Sequence, residues 1–397
     1  MTSTEDTGTI GQRLRRIRKS RGKTQAAIAE LAGIHKSYLS LLENGKRALD
    51  SLKLIIDLAE ALQIAPSELT RIEVPAPGNG DVDAGIDAVR LAMRDVSHNR
   101  PGGQVLPVEV LRGRVTRLQE VRRRCRFPDV ASDLPGLIRD LHTSIAAGRD
   151  LDELLPLASL LHVQVTNMWL KDAGAPIDLL WQADAMALEA AERHGEDTTL
   201  GLAAFGTVYG LLADGRFALA QAELDSVTLP TVTPETASLM CVLTMTNAVV
   251  AAMDKRPGDV AAPMDTAAEL AERISEHDPF GFGFGPTSLA ARRVALTLEA
   301  GEPDRALSIA EGVYPERLPF LTRQAGYWTD YGRAAARLRG RRDDAVRAFL
   351  KAEEIFPTRL YRDPFAREVI AELVNLTPRG RVGQDLRRLA WRADLRV

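Results

Sequence analysis

The sequence predicts an all-α chain: a small N-terminal helical domain followed by an α-solenoid of helical repeats. Three features predict it. Apolar residues recur at three- and four-residue spacing, and from about Leu134 onward no alternating pattern competes with helix. Glycines 174, 215, 258, 301 and 340 open similar stretches at steps of 41, 43, 43 and 39 residues. Ahead of them, roughly residues 9–70 hold apolar runs that fit five short helices.

Ile10, Leu14 and Ile17 are spaced for a first helix, with Arg13, Arg15, Arg16, Arg18 and Lys19 on its outer faces. Thr24 is a good N-cap for a second helix that Gln25 opens. Ala29 sits where two helices approach closely, and Gly33 where a tight turn takes a positive φ. Leu39 and Leu42 bury a third helix, about His35 to Glu43, against the first. Asp50 or Ser51 caps a fourth, whose stripe is Leu52, Ile55, Ile56, Ala59 and Leu62. Pro66 starts a short fifth, where its missing N–H costs nothing. Small residue, glycine and paired apolar anchors at these offsets describe a helix-turn-helix, whose second helix enters the DNA major groove.

Thr24–Gln25, Leu31–Ala32, Gly33–Ile34, Leu39–Ser40, Glu43, Gly45 and Arg47 stand in the order shared by the Xre/Cro/C1-type helix-turn-helix family. Residues 9–70 resemble that family. The resemblance implies a lambda-repressor-like DNA-binding domain over residues 1–73, with double-stranded DNA as partner. It places Gln25 at the start of the second helix, where its amide reaches a phosphate. His35, Lys36 and Ser37 then open the recognition helix towards base edges, Lys36 suiting guanine O6 and N7. Ser40, one turn on, suits a phosphate or a base edge; Lys46 and Arg47 suit phosphates. Leu41 departs from the family, in which many members are polar or basic there, and reads as a thymine-methyl contact or as plain surface.

Charge agrees with this reading. From Ile10 to Asp50 ten Lys or Arg face three acidic residues, a surplus of seven, in a chain whose net charge is −3. A basic end on an acidic body is expected of a phosphate-contacting module joined to a part that does not touch DNA. At 397 residues, two or more structural units are expected. Two cysteines, Cys125 and Cys241, form no CxxC motif, which points to a reducing compartment. The polar start MTSTEDTGTI does not read as a signal peptide. The most apolar run, Ala237 to Met253, is interrupted by polar residues and reads as a buried helix rather than a membrane span. A cytoplasmic protein without membrane partners is expected.

A linker with a short helix is expected over residues 74–107, from the Pro- and Gly-rich stretches Val74–Gly85 and His98–Pro107. The arginine-rich stretch Val110–Phe127 carries Leu111, Val115, Leu118 and Val121 as a stripe. It reads as a helix with one buried face and an arginine face that is solvated or, as the alternative, makes a second DNA contact. In GFGFG (Gly281 to Gly285) no strand precedes and no Lys-Ser/Thr follows, so it is expected to be an inter-helix turn with Phe280, Phe282 and Phe284 packed inward.

Residues 108–397 form the expected repeat domain, used for effector binding and dimerisation. Each repeat glycine permits a tight turn, and closely spaced alanines let paired helices stack. Residues 357–397 are expected to supply a capping pair. The pattern resembles a tetratricopeptide-like solenoid with repeats longer than usual. GFGPTSLAARRV, GEPDRALSIA and RRDDAVRAFLKAEEIFP are similar to segments of actinobacterial regulators that join an Xre-type module to such repeats. In that class the resemblance implies a short peptide effector that changes DNA affinity.

The inner surface of a solenoid is lined by the first helix of each pair, so polar residues there are candidate ligand contacts. Asn167 and Arg333 stand seven residues before their repeat glycines, Asn247 and Thr329 eleven before, and Gln164 three before Asn167. These positions share one helix face, and asparagine holds both N–H and C=O of an extended peptide. The leading expectation is a homodimeric transcriptional regulator on an inverted repeat, modulated by a peptide or small molecule. The alternative is a regulator whose repeats dock a partner protein. No HExxH, GxSxG or Walker A motif occurs, so no enzyme activity, catalytic residue, metal site or cofactor is expected.

Overall fold

The computed structural model describes residues 9–70, 80–229, 233, 236–254, 256–274, 280–377 and 380–395, and among them every regular element is helical. The N-terminal domain is built from α1 (Ile10–Ser20), α2 (Gln25–Leu31), α3 (Lys36–Glu43), α4 (Leu52–Leu62) and α5 (Pro66–Thr70). Leu14, Ile28, Leu39, Leu42, Leu49, Ile55 and Leu58 fill its centre, as the helical spacing requires. Thr9 accepts from the Gln12 N–H and Thr24 from the Ala27 N–H, fixing the starts of α1 and α2. Of the two candidate caps for α4, Ser51 takes the role by accepting from the Leu54 N–H at 3.3 Å. Asp50 is engaged elsewhere.

The expected linker is only partly a linker. Residues 74–79 lie outside the described residues, but Gly80–Ser97 form an eighteen-residue helix, α6. Its Val82, Ile86, Val89 and Met93 are buried with residues of the following helices. Spacings of four, three and four put those four side chains on one face, and burial of that face outweighs the local cost of Gly80 and Gly85.

The chain continues through α7 (Val108–Arg123), α8 (Phe127–Ala146) and α9 (Leu151–Leu160). A π-helical segment, Leu161–Asn167, joins α9 to α10 (Met168–Asp172), and α11 (Ile177–His194) returns antiparallel to them. Helix pairs follow: α12 (Asp197–Ala213) with α13 (Phe217–Ser226), then α14 (Ala237–Met253) with α15 (Ala261–Ala271). Next come α16 (Pro286–Glu299) with α17 (Pro303–Ala310), and α18 (Leu321–Ala336) with α19 (Arg342–Ile355). Short α20 (Pro357–Arg362) leads to a closing pair, α21 (Pro364–Leu376) and α22 (Arg381–Arg392). Successive pairs bury their apolar faces on their neighbours, forming one core over α6–α11, a second over α11–α16 and a third over α16–α22. This is a helical-repeat arrangement.

Four of the five repeat glycines, Gly174, Gly215, Gly301 and Gly340, turn the chain with φ between +69° and +83°. Gly258 lies instead in a short 3₁₀ turn, Pro257–Asp259. The run Ala237–Met253 is the buried helix α14, and none of the described helices is long and apolar enough to cross a membrane. Phe282 and Phe284 are buried in the turn before α16. The stripe of α7 faces the core through Leu111, Val115 and Leu118, with Arg122 buried beside it.

The structure joins two histidines that the sequence separates by twenty residues. His142 on α8 and His162 in the π-helical segment place their Nε2 atoms 2.9 Å apart. Burial pushes His142 down to about 4 and His162 well below its ordinary value, so the pair is neutral. Folded imidazoles that resist protonation lend stability above the unfolded value, near 6.5, which is lost as pH falls from there towards 4. Histidine-selective NMR at pH 5.5 is expected to show two imidazoles still neutral. Ordinary titration of all six would contradict the buried pair.

Candidate nucleic-acid interface

The helix-turn-helix is held in shape by one buried carboxylate. Glu43, at the end of α3, accepts from Arg18 of α1 through Nε at 2.5 Å and Nη2 at 2.7 Å. It also accepts from Gln25 Nε2 of α2 at 2.7 Å, so three helices meet on one side chain. Arg18 further donates to the Lys23 carbonyl at 2.8 Å. Burial works against the Glu43 charge, but the hydrogen bonds from Arg18 and Gln25, with the Arg18 charge, outweigh it and hold the carboxyl below its usual range. Gly33 turns α2 into α3 with φ +66°, and the Ile34 N–H donates to the Ala29 carbonyl at 2.9 Å.

These contacts change two expectations about the basic face. Arg18 and Arg13 are buried rather than on an outer face, Arg13 donating to the Leu69 carbonyl at 2.7 Å. Gln25 turns its amide nitrogen inward to Glu43, because a buried carboxylate needs donors more than a solvated phosphate contact does. The start of α3 is open: His35, Lys36 and Ser37 are exposed, and the His35 side chain makes no capping bond. Leu41 is 43% exposed on the same helix. Ser40 accepts from Asn44 Nδ2 at 3.3 Å, and Asn44 Oδ1 accepts from Arg15 Nη1 at 3.1 Å. Lys46 is exposed, whereas Arg47 is half-buried and lies 3.5 Å from Glu372 of α21.

That last contact belongs to a junction the sequence did not announce. Three carboxylates of the repeat body accept backbone N–H groups of the N-terminal domain. Glu368 takes the Ile10 N–H at 2.6 Å, Glu372 the Ala48 N–H at 2.8 Å and Glu299 the Leu52 N–H at 3.1 Å. Ile10 and Leu52 are the first residues of α1 and α4, so two of these carboxylates sit at helix N-termini, where orphan donors and the dipole favour negative charge. Thr9 and Ser51 take the third donor of each helix and leave the first for the body. Burial pushes Glu368 up to about 7, against the N–H groups of Ile10 and Leu49. Arg333 donates to the Asp50 carbonyl at 2.5 Å, and Arg337 donates to the Asp50 carboxylate.

Four of the five residues expected at a ligand are engaged with other groups of the protein. Asn167 donates to Asp184 Oδ1 at 2.7 Å; burial, working against that bond, pushes Asp184 up to about 7. Asn247 accepts from Gln221 Nε2 at 2.9 Å, and Thr329 donates to the Ala325 carbonyl at 2.9 Å. Arg333 serves the domain junction and pairs with Glu299 at 2.7 Å and Asp330 at 3.1 Å. A buried polar group takes the nearest partner, and a spacing argument does not show which partners another helix supplies. Gln164 lines a cavity of about 210 Å³ whose wall includes none of the other four.

The architecture is that of a helix-turn-helix protein with a helical-repeat body, and sequence comparison agrees for the N-terminal unit. Residues 9–72 match the family described as "Helix-turn-helix domain". Over 75 residues, 19% of this chain and 68% of the relative, the sequence is 29% identical to the HTH-type transcriptional regulator SinR of Bacillus licheniformis. No solved structure matches the chain. The N-terminal unit is thus a helix-turn-helix domain similar to that family.

Replacing Glu43 with alanine leaves Arg18 buried without its partner, and is expected to cost about 3 kcal/mol in denaturant unfolding of the N-terminal domain. A loss below about 0.5 kcal/mol, the level of an ordinary surface change, would remove Glu43 as the organising contact.

Proposed function

We propose that this chain is a sequence-specific DNA-binding transcriptional regulator. It acts as a homodimer on an inverted repeat, with its activity set by a small molecule or peptide held in the repeat domain. The exposed first turn of α3, with His35, Lys36 and Ser37 free of the packing that fixes the rest of the helix, carries this reading. The SinR similarity and the basic surplus between Ile10 and Asp50 support it. One such module spans few base pairs, so specific affinity calls for two copies on neighbouring half-sites. The body then works as a tetratricopeptide-type binding surface in a cytoplasmic, non-catalytic protein.

The junction supplies a route for control. Asp50 and Leu52 follow α3 by a few residues and are fixed to α16 and α18. A ligand that binds two arrangements of those helices unequally shifts the domain between them, by no more than that difference in affinity. A second reading, in which the repeats dock a partner protein, draws on the Trp391 indole, 80% exposed on the last helix, since tryptophan is enriched at protein interfaces.

Selection of genomic fragments by the purified full chain is expected to enrich one inverted repeat. Lys36→Ala/Ser37→Ala is expected to weaken binding to it by roughly ten- to a hundredfold. Fragments retained equally by the variant would remove α3 as the reading helix.

A further inference from the structure

The cavity between the π-helical segment, α12, α16 and α18 is chemically lopsided. Its walls hold five basic side chains, Arg122, Lys171, Arg292, Arg323 and Arg359, against two carboxylates, Asp172 and Asp330. Both carboxylates are already engaged. Asp172 accepts from Arg359 at 2.8 Å and lies 3.8 Å from Arg122, while Asp330 pairs with Arg333 at 3.1 Å. Lys171 and Arg292 have no such partner within 4 Å among the described residues. They converge on one ring instead: the Lys171 ammonium lies 5.0 Å from the Tyr209 centroid, and Arg292 Nη2 donates to the Tyr209 hydroxyl at 3.4 Å. Lys171 is open to solvent although protein surrounds it, as a side chain facing a cavity must be. Burial and the like charge of Arg292 both push its ammonium pKa down, with Tyr209 opposing.

A second observation points to the same space. Gln164 is only 3% exposed, and its Nε2 has no hydrogen-bond partner. A buried donor without a partner is costly, and of the buried side-chain atoms in that state Gln164 Nε2 and Arg122 Nε belong to residues that line this cavity. Gln164 sits in the π-helical segment, a distortion that recurs at binding sites, and both it and Lys171 line the cavity. Part of the remaining wall is aromatic, from Phe205, Phe282 and Phe284, with Phe282 meeting Phe205 edge to face at a centroid distance of 5.0 Å.

We infer that this cavity takes a small organic anion, a carboxylate or phosphate monoester carried on an aromatic group. Lys171 and Arg292 meet the charge, Gln164 donates the orienting hydrogen bond, and the phenyl rings cover the apolar part. A neutral ligand would leave the two cations facing each other, and a cation would add to their repulsion. This names the chemistry of the effector proposed above and rests on that reading for its consequence at DNA. Binding itself is measured without DNA.

The test titrates the full chain with benzoate, phenyl phosphate and the neutral benzyl alcohol, read by calorimetry and thermal unfolding. Inorganic phosphate controls for an adventitious ion only. At least one aromatic anion is expected to bind saturably and raise the melting temperature, whereas benzyl alcohol and inorganic phosphate do not. Whichever anion binds decides between carboxylate and phosphate. Lys171→Gln/Arg292→Gln is expected to weaken that binding at least tenfold, while the ligand-free variant melts no lower than the parent because it loses a repulsion. The inference is overturned by absence of binding for both aromatic anions, by equal binding of the alcohol or of inorganic phosphate, or by undiminished binding to the variant. It is overturned equally by a ligand-free variant that melts lower, which would make the two cations structural. A chain that binds the anion yet enriches no DNA keeps the cavity and loses the regulator, and the reverse result does the opposite.

Discussion

Two guanidiniums four residues apart, Arg333 on α18 and Arg337 at its C-cap, converge on Asp50, and the placement of the N-terminal domain depends on them. Buried charges are costly unless each is paired and its remaining donors are used. Here Arg333 also binds Glu299 and Asp330, and Arg337 binds Glu372. Glu299 and Glu372 in turn accept the N–H groups of Leu52 and Ala48. The body thus supplies both signs of charge, and the N-terminal domain contributes Asp50 and Arg47 together with its backbone. Apolar contacts accompany the polar ones: Ile56 of α4 joins the second core, and Ala48 the third.

The same helix faces two ways. Asp330 lines the cavity and pairs with Arg333, which holds the Asp50 carbonyl. Neighbouring α16 repeats the arrangement, with Arg292 at the cavity and Glu299 at the junction. In a solenoid each element touches only its neighbours, so two sites gain a common scaffold only when the chain curls to bring them onto shared helices. Here α16 and α18 are those helices.

Local signals made the N-terminal domain legible in the sequence. Thr24, Gly33, Ser51 and Pro66 act within a few residues of themselves, and the structure places each where its chemistry requires. The repeat glycines were legible for the same reason, Gly258 excepted, where a 3₁₀ turn replaces the positive-φ turn. Residues whose partners are distant in sequence were not legible. Arg18 reads as a surface base until Glu43 is seen 25 residues later, and Asn167 as a ligand contact until Asp184 faces it. Helix α6 was obscured by the glycines at its start, although its four buried apolar side chains keep helical spacing.

The sequence by itself determined the helical class, the helix-turn-helix with its exposed first turn of α3, and the step of the repeats. Periodicity, caps and turn glycines act within a few residues and need no partner from afar. Only the tertiary structure decided which polar side chains are spent internally, where the N-terminal domain sits, and that Gln164, Lys171 and Arg292 face one cavity. Those outcomes depend on which groups from distant helices are left to satisfy each other once the apolar faces have closed, and a linear pattern does not encode that match.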